Sequence, residues 1–481
     1  MVDDKQFILS KEKFVKAGWK HLVLSGDLIL SYQEKLKVWS CQQNIVLLGI
    51  AWQVDPERKT PEEELCSLAK LDKISNDDVF EMEKTWCGRY VLIVDGWLYL
   101  DTVGSLGVFY SENSVSSSLH VLCEAEKRQV IYPNIVWGQN PDFLPGTRTC
   151  YEGVSRLLPS QIYNIKDKKA IIRPLLPDGV IRVENDADRV ALLESYYIHS
   201  LKIMSKLFEG ETLYFGLTGG RDSRAAMSLF EKAGIDYHPF TMEYNDIKEA
   251  DVVIPARLAK KVGKKRIFVK RKEKNFSRQR MDDYCMHTAG MAIDTDRLFY
   301  TYGQYSYLFK NQKKLVNKDN DNIVIVRSSI WEITNDYLLI FCKNGQFNIE
   351  DVFPYADNEP FIKQSLEEWF DMIVNDKINA EVSYSNRAYW DLRDGCWLSS
   401  LEQSFDLMDN TTTLQPLNCR LFVSILMGFG QQDRYKKKHE EYIVGQVCPA
   451  LLEVPYDYQY RSFYKRVRRM GGKVYRFICK K

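Results

Sequence analysis

A pair of glycines between a hydrophobic strand and a helix is the feature that most constrains the fold of this chain. Half of residues 212–217 are β-branched or aromatic and two more are leucines, which predicts a buried strand. Gly219 and Gly220 allow the backbone to turn with positive φ. From Ser223 an apolar helical stripe runs to Gly234, where we expect the helix to end. Unpaired N–H groups and the helix dipole at such an N-terminus attract a phosphate group.

The next elements extend this pattern. His238–Met242, with Thr241 near its end, is interpreted as a second strand, and Arg266–Lys270 as a third. Between them Asp251 begins an apolar-striped helix with Pro255 in its first turn, where a missing N–H costs little. Strands that alternate with helices predict a parallel, doubly wound α/β sheet whose ligand lies at the carboxyl ends of the strands.

The glycine-containing loop has a recognisable composition: Leu217, Thr218, Gly219, Gly220, Arg221, Asp222, Ser223. It resembles the Ser-Gly-Gly-x-Asp-Ser pyrophosphatase loop (PP-loop) of the N-type ATP pyrophosphatases, with a Thr hydroxyl in place of the usual Ser. No Lys follows the glycines at the spacing of a Walker loop. The alternative is an ordinary strand–helix turn in which Asp222 only caps the helix. The resemblance implies that this loop and Thr241 bind ATP, and that Asp222 holds Mg²⁺.

Further segments resemble, in the same order, the asparagine synthetase-like proteins of this superfamily. They are Gly88–Ile93, Asp101–Gly104, Val108–Ser111, Leu144–Thr147, Gly153–Pro159, Tyr389–Arg393, Gln415–Phe422 and Pro449–Pro455. Ser116–Cys123 is interpreted as one more strand. The resemblance implies an α+β glutaminase-like domain of the Ntn-hydrolase type over residues 1–180, with antiparallel sheets and helices. Over residues 186–481 it implies an α/β adenine nucleotide α-hydrolase-like domain with a parallel sheet and a helical C-terminal part.

The N-terminus departs from the family pattern. The family's glutaminase domains use a Cys that becomes N-terminal when Met1 is removed, and the terminal amine serves as its base. Here Val2 follows Met1, and the first cysteine is Cys41. We therefore expect a degenerate class II amidotransferase domain that does not hydrolyse glutamine.

A second departure lies around Gly303. The resemblance implies a glycine-rich turn here, followed by an Asp-Glu pair that helps Asp222 hold Mg²⁺. Gly303 is assigned to the nucleotide site, but Tyr305 and Tyr307 stand where the glycine and the acids are expected. Mg²⁺ is often bound by one or two carboxylates with phosphates and water. The alternatives are therefore Asp222 alone, Asp222 with the nearby acids Asp294 and Asp296, or a site that has lost activity.

The remainder of the chain is less informative. Ala187–Glu209 predicts a long amphipathic helix, and Lys310–Asp351 is interpreted as an insertion with polar turns and β-rich pieces. From Glu359 onward the chain is interpreted as mainly helical. His287 is interpreted as a packed residue rather than a catalytic one.

Composition excludes several classes of protein. A hydrophobic fraction of 45% with 27% charged residues is ordinary for a globular chain, and a net charge of +1 gives no field that would select nucleic acid. The eleven cysteines include no Cys-x-x-Cys pair, so neither a zinc ribbon nor a disulfide framework is indicated. No apolar run reaches the ~18–20 residues that span a bilayer. We expect a cytoplasmic protein, whose basic tail over residues 464–481 is a solvated face or a weak membrane contact.

The resemblance implies acyl-adenylate chemistry. A bound carboxylate attacks the α-phosphorus of ATP, pyrophosphate leaves, and ammonia or an amine displaces AMP to form an amide. Asp222 would act through Mg²⁺, and Arg221 is a further phosphate contact. For Arg224 two alternatives are open: a contact with phosphate or substrate, or a solvent-facing position on the helix. Arg393 is the predicted clamp for the substrate carboxylate because guanidinium pairs bidentately with that group, with aromatic core packing as the alternative.

Three functions remain open at this stage. The first is an ATP-dependent amide-forming ligase resembling asparagine synthase, acting on a small-molecule or peptide carboxylate and an amine. The second is a catalytically inactive nucleotide-binding or scaffold homologue. The third is an RNA modifier of the same superfamily, which the near-neutral charge and the absence of Cys pairs disfavour. A homodimer is left open.

Overall fold

The computed structural model describes residues 5–42, 44–131, 143–244, 247–271, 295–336, 338, 342–343, 346–347, 359–408 and 410–460. Asp294, His287 and the basic tail lie outside these residues, as does the side chain of Asp296.

Two six-stranded antiparallel sheets make up the N-terminal half. Their strands are β1 (Phe7–Ser10), β2 (Trp19–Val23), β3 (Ile29–Gln33), β4 (Val38–Cys41), β5 (Ile45–Gln53), β6 (Trp86–Val94), β7 (Trp97–Leu100), β8 (Phe109–Tyr110), β9 (Val115–Ser116), β10 (Ser155–Arg156), β11 (Gln161–Asn164) and β12 (Lys169–Ile172). The first sheet has the order β10-β8-β9-β1-β3-β2, and the second has the order β12-β11-β7-β6-β5-β4. The predicted antiparallel sheets of this half are therefore present.

The second sheet is buried on both faces, which explains the continuous apolar runs of its central strands. Successive side chains of a strand point to opposite faces. Leu48 accordingly packs in the cluster between the two sheets, whereas Leu47 packs with the helices on the outer face. Those helices are α1 (Pro61–Leu68) and α2 (Asn76–Glu83), and each begins at a capping box.

The prediction of a strand over Ser116–Cys123 is wrong beyond its first residue. A third helix, α3, spans Leu119–Glu126. The Ser118 hydroxyl accepts a hydrogen bond from the N–H of Val121 at 3.3 Å and so caps the helix. The apolar residues Leu119 and Leu122 then fall on one helical face and are fully buried.

A parallel sheet forms the centre of the C-terminal half. The long helix α4 (Asp186–Leu207) precedes it, as predicted. The strands are β13 (Thr212–Gly216), β14 (His238–Met242), β15 (Ile267–Val269), β16 (Ile323–Val326) and, after a short β17–β18 hairpin (Cys342–Lys343, Gln346–Phe347), β19 (Thr411–Leu414). Their order is β15-β14-β13-β16-β19, with every pair parallel.

The interpretation of Lys310–Asp351 as an insertion is wrong, because this segment contains β16. All four residues of β16 are fully buried, and the strand pairs with β13 on one side and β19 on the other. Four consecutive Ile and Val residues suit a parallel strand with both faces covered. The polar residues that precede β16 form the connection that leads into the sheet, and they are not an inserted surface segment.

Helices cover both faces of this sheet and form the C-terminal part. They are α5 (Asp222–Ala233), α6 (Glu249–Lys261), α7 (Thr295–Lys310), α8 (Gln312–Val316), α9 (Pro360–Val374), α10 (Tyr384–Ala388), a π-helical stretch (Tyr389–Leu398), α11 (Ser399–Ser404), α12 (Arg420–Met427), α13 (Gln431–Tyr435) and α14 (Lys438–Val447). Because α6 begins at Glu249, Pro255 lies inside the helix and not in its first turn as predicted. No helix among the described residues is long and apolar enough to cross a membrane.

The two halves are joined through buried polar contacts. Arg89 on β6 makes a bidentate pair with Asp406, with both N–O distances at 2.6 Å. The indole N–H of Trp390 donates to the carbonyl of Thr102 at 2.6 Å. A single hydrophobic cluster also contains residues of both halves. The N-terminal half is therefore part of the packing that supports the parallel sheet.

The Arg89–Asp406 pair gives a stability prediction. Asp406→Ala leaves a largely buried guanidinium without its carboxylate, so we expect the free energy of unfolding in urea to fall by ~3 kcal/mol. Glu124→Ala removes an exposed partner of Lys16 and is the control, with an expected loss below ~0.5 kcal/mol. Equal urea midpoints for Asp406→Ala and the wild-type protein would show that this pair does not hold the halves together.

Candidate nucleotide site

The strand order of the parallel sheet reverses between β13 and β16. From β13 the chain proceeds outward to β14 and β15 on one side, and later to β16 and β19 on the other. In doubly wound sheets, ligands bind at such a reversal of strand order. The loop 217–223 follows β13, and the segment 327–336 follows β16. The predicted phosphate loop therefore lies at the position where this fold class binds ligands.

The loop is organised by its own hydrogen bonds. The Thr218 hydroxyl lies 3.0 Å from the Ser223 hydroxyl and accepts a hydrogen bond from the N–H of Gly220 at 3.2 Å. The N–H of Gly219 donates to Asp251 Oδ1 at 3.1 Å. A Cβ atom at position 219 would lie 3.0 Å from that same oxygen, so the close approach of α6 favours glycine there.

Asp222 is the first residue of α5 and not its cap. The cap position is Arg221, whose side chain makes no capping hydrogen bond. The Asp222 carboxylate instead accepts hydrogen bonds from Lys437 Nζ at 3.0 and 3.2 Å and from Asn335 Nδ2 at 3.1 Å. Burial by itself would raise the pKa of Asp222, but the charge of Lys437 together with hydrogen bonds from Lys437, Glu440 and Asn335 lowers it. The carboxylate is therefore ionised and paired.

Two further oxygen donors lie beside Asp222. Both carboxyl oxygens of Glu440 and the Oδ1 atom of Asn335 are buried without a hydrogen-bond partner. Burial, and then the charge of Asp222, raise the pKa of Glu440 well above its usual value. Oxygen donors of this kind suit Mg²⁺. Within the described ranges no three His, Cys, Asp or Glu residues form a metal site, so these donors fit Mg²⁺ only if phosphates complete the coordination.

Arg221 and Arg224 fasten the chain near residue 455 to the start of α5. Arg221 Nε lies 2.6 Å from Glu441 Oε1, and its guanidinium lies over the ring of Tyr458. Arg224 is fully buried and donates to the carbonyls of Val454 and Pro455, at 2.6 and 2.9 Å. The solvent-facing alternative for Arg224 is therefore wrong, because the side chain is buried. Its guanidinium is engaged by backbone carbonyls, and a contact with phosphate or substrate stays a prediction.

Thr241 has a structural contact of its own. Its hydroxyl donates to the carbonyl of Leu217 at 2.8 Å, and the N–H of Leu217 donates to the carbonyl of Phe240 at the same distance. These bonds hold the carboxyl ends of β13 and β14 together. The role of Leu217 and Thr241 in binding adenine stays a prediction.

Gly303 lies in the middle of α7, so the chain has no glycine-rich turn at this point. Tyr305 is buried and packs edge-on near Phe240, 6.2 Å between ring centroids, and beside Phe405. The turn that faces Asp222 follows β16 instead and contains Glu332 and Asn335. The segment around Gly303 is therefore a helix and not a turn, and the role of Gly303 in binding a nucleotide stays a prediction.

Arg393 lies in the π-helical stretch with its guanidinium 3.3 Å from the ring centroid of Trp397. Its Nη1 atom is buried and lacks a hydrogen-bond partner. The next residue, Asp394, is buried with a pKa raised by burial, an effect that the charge of Arg393 only partly offsets. The Tyr389 hydroxyl of the same stretch donates to Glu332. Arg393 thus stacks on an aromatic ring and retains one free donor, and its role as a clamp stays a prediction.

Several residues of the site were missed by the sequence interpretation. They are Glu332, Asn335, Lys437 and Glu440. The signal for the first two was the polar segment directly after the apolar run Ile323–Val326. Lys437 and Glu440 gave no signal, because a lysine and a glutamate near a helix start are ordinary surface residues in a sequence.

Comparisons with known proteins give only distant similarities. No family model and no curated protein matches this chain. The glutamine-dependent NAD+ synthetase of Acinetobacter baumannii, solved with ADP, is 12% identical with a TM-score of 0.22, and the match covers 46% of this chain and 39% of that one. The NMN synthetase of Francisella tularensis is 12% identical with a TM-score of 0.21, covering 52% of this chain and 97% of that one. The residues of the site must therefore support any functional argument.

The Asp222–Lys437 pair predicts a pH-dependent stability. Since the pKa of Asp222 is lowered on folding, the pair contributes its full stability above the ordinary pKa of 3.8 and loses it as the pH falls from there through the lower pKa of the folded protein. We expect Lys437→Met to lower the free energy of unfolding by ~3 kcal/mol at pH 7, and by progressively less as the pH falls below 3.8. Lys438→Met removes an exposed neighbour and should cost under ~0.5 kcal/mol. A loss independent of pH would contradict the pairing.

The buried His439 leads to a second prediction, on the stability of the protein at acid pH. It is fully buried, and burial lowers its pKa from 6.5 to about 3. Unfolding therefore takes up a proton below pH 6.5, which destabilises the folded protein. Between pH 7 and pH 5 the wild-type protein should lose ~2 kcal/mol more stability than the His439→Gln variant. Parallel pH profiles for the two proteins, measured by urea unfolding, would refute this assignment.

Proposed function

We propose that this chain binds ATP at the carboxyl ends of β13 and β16 and uses it to form an amide bond. The carboxylate substrate would attack the α-phosphorus, and ammonia or an amine would displace AMP from the acyl-adenylate. The observation that supports this proposal is the ionised Asp222 at the start of α5, paired with Lys437 at the reversal of strand order.

The loop supplies what a triphosphate requires. Thr218 is exposed and Gly220 is half-exposed, so a phosphate can approach both residues near the helix N-terminus. The N–H of Gly220 is bonded to the Thr218 hydroxyl, so a phosphate oxygen must displace that hydroxyl to bind it. Lys437 adds a positive charge within reach of Asp222. The N–H of Gly219 is already bonded to Asp251, so a phosphate oxygen must compete with that carboxylate for it. Preorganised donors of this kind stabilise the charge that develops on a leaving pyrophosphate.

Asp222, Glu440 and the Oδ1 atom of Asn335 are the residues that would hold Mg²⁺. The bound ion would neutralise charge on the phosphates. Glu440 must lose its proton to contribute, which the positive charge of a metal ion favours. Leu217, Arg221, Ser223 and Thr241 would then shape the loop rather than touch the reacting atoms. Gly303 lies in α7, outside this loop, and its assignment to the nucleotide site stays a prediction.

Arg393 is the proposed contact for the substrate carboxylate. Stacking on Trp397 holds the guanidinium plane in place, and the Nη1 atom has no hydrogen-bond partner, so the group could bind a planar carboxylate. The nitrogen source is proposed to be ammonia or an amine. Two polar side chains of the N-terminal half already bind the C-terminal half. Arg89 on β6 pairs with Asp406, and Asp101, which follows β7, accepts a hydrogen bond from Asn418.

A second function is favoured by one observation. The carboxylate of Asp222 is already neutralised by Lys437, so the pair needs no metal ion to be stable. A homologue that binds a nucleotide, or serves as a scaffold, without turnover would have the same geometry. Release of pyrophosphate separates the two functions, since only the ligase produces it.

The test is calorimetric titration of Mg²⁺·ATP into the wild-type protein and Asp222→Ala. We expect the substitution to weaken binding at least tenfold, or ~1.4 kcal/mol. Lys438→Met is the control and should bind as the wild type does. Asp251→Ala removes the competitor for the N–H of Gly219 and should not weaken binding. Absence of heat with the wild-type protein would refute a nucleotide site.

A pool of carboxylates and amines should then yield pyrophosphate with the wild-type protein. Arg393→Leu should raise the KM for the carboxylate and leave ATP affinity unchanged, because the clamp acts on the substrate alone. ATP binding without pyrophosphate release would favour the scaffold function.

A further inference from the structure

Two cysteine thiols lie next to each other at the edge of the N-terminal half. Cys41 is the last residue of β4 and Cys66 lies on α1, and their Sγ atoms are 3.5 Å apart. Both are half-buried. Of the other cysteines whose side chains the structure describes, five are buried, and Cys448 is half-buried in the C-terminal half. Position and accessibility therefore set this pair apart.

The helix that bears Cys66 is held firmly. Its first turn has a capping box between Thr60 and Glu63. One residue on, Glu64 accepts hydrogen bonds from Trp86 Nε1 at 2.6 Å and from Arg58 Nε at 2.8 Å. Cys66 thus meets the strand at a defined position, so the contact between the thiols is a property of the packing.

The strand that bears Cys41 is free to adjust. β4 is the outermost strand of its sheet and pairs only with β5. A disulfide requires the sulfur atoms to approach from 3.5 Å to ~2.05 Å. An edge strand that ends at Cys41 accommodates a shift of this size more easily than a central strand does, because only one ladder of hydrogen bonds restrains it.

We propose that Cys41 and Cys66 are a modification site that forms a reversible intramolecular disulfide with a low-molecular-weight disulfide such as oxidised glutathione. The thiolate of one cysteine attacks the small disulfide, forms a mixed disulfide and releases one thiolate. The thiolate of the other then attacks the protein sulfur and releases the second. The protein loses two electrons and two protons, and the small disulfide becomes two thiols. This site is independent of the proposed nucleotide chemistry.

The cross-link would act on the edge of the second sheet. It would fasten β4 to α1 and close a loop of about 25 residues, which restricts the unfolded chain. Exposed edge strands are prone to pair with other chains, and a fastened edge is less available for such pairing. The disulfide form should therefore be more resistant to heat.

The experiment treats the reduced full-length protein with oxidised glutathione at pH 8.5, a pH chosen because burial raises the pKa of the Cys41 thiol. We expect an intact mass lower by about two hydrogens and one peptide that joins Cys41 to Cys66 in a non-reducing digest. The Tm should rise by ~3 °C or more, and dithiothreitol should reverse both changes.

Cys41→Ser, which leaves Cys66 without a partner, should give a glutathione adduct and no cross-link. Cys448→Ser is the matched control and should cross-link as the wild type does. Adducts on both Cys41 and Cys66 without a joined peptide would overturn the proposal, as would an unmodified pair or a cross-link to a different cysteine. The wild-type digest decides the question even if the Ser variant folds poorly.

Discussion

The ion pair between Asp222 and Lys437 joins the start of α5 to the start of α14, two elements more than two hundred residues apart in the chain. Asp222 follows the strand at the centre of the sheet, so burial works against its charge. Lys437 compensates that charge from a left-handed backbone conformation just before α14. Asn335 adds a third element, from the turn after β16. The site is therefore assembled from three separate regions whose charges stabilise one another.

The position of β16 determines which side chains can reach this pair. Because β16 pairs with β13, the turn that follows it faces the phosphate loop. Had the sheet ended at β13, Asp222 would lie at an exposed edge and its carboxylate would be solvated. The central position desolvates the site instead, which strengthens every electrostatic interaction in it. The same desolvation makes Glu440 a buried acid with a raised pKa.

The N-terminal half supports this arrangement from outside the parallel sheet. Its β6 binds Asp406, and the loop after β7 binds Trp390 and Asn418. These partners belong to the helical part around the π-helical stretch that bears Arg393. A buried bidentate pair fixes orientation as well as distance, so the N-terminal half positions the segment on which a substrate carboxylate contact would depend.

Local sequence patterns are enough to predict the elements around the glycine pair. Strand, loop and helix over residues 212–234, the strand 238–242 and the long helix before them follow from periodicity and glycine placement, which are local properties. The sequence did not reveal that residues 323–326 form an inner strand of the parallel sheet, that a helix begins within Ser116–Cys123, or that Lys437 pairs with Asp222. Those outcomes depend on which segments pack against each other in the tertiary structure. Burial makes a lysine or a short apolar run part of a site, although either would be ordinary in the sequence.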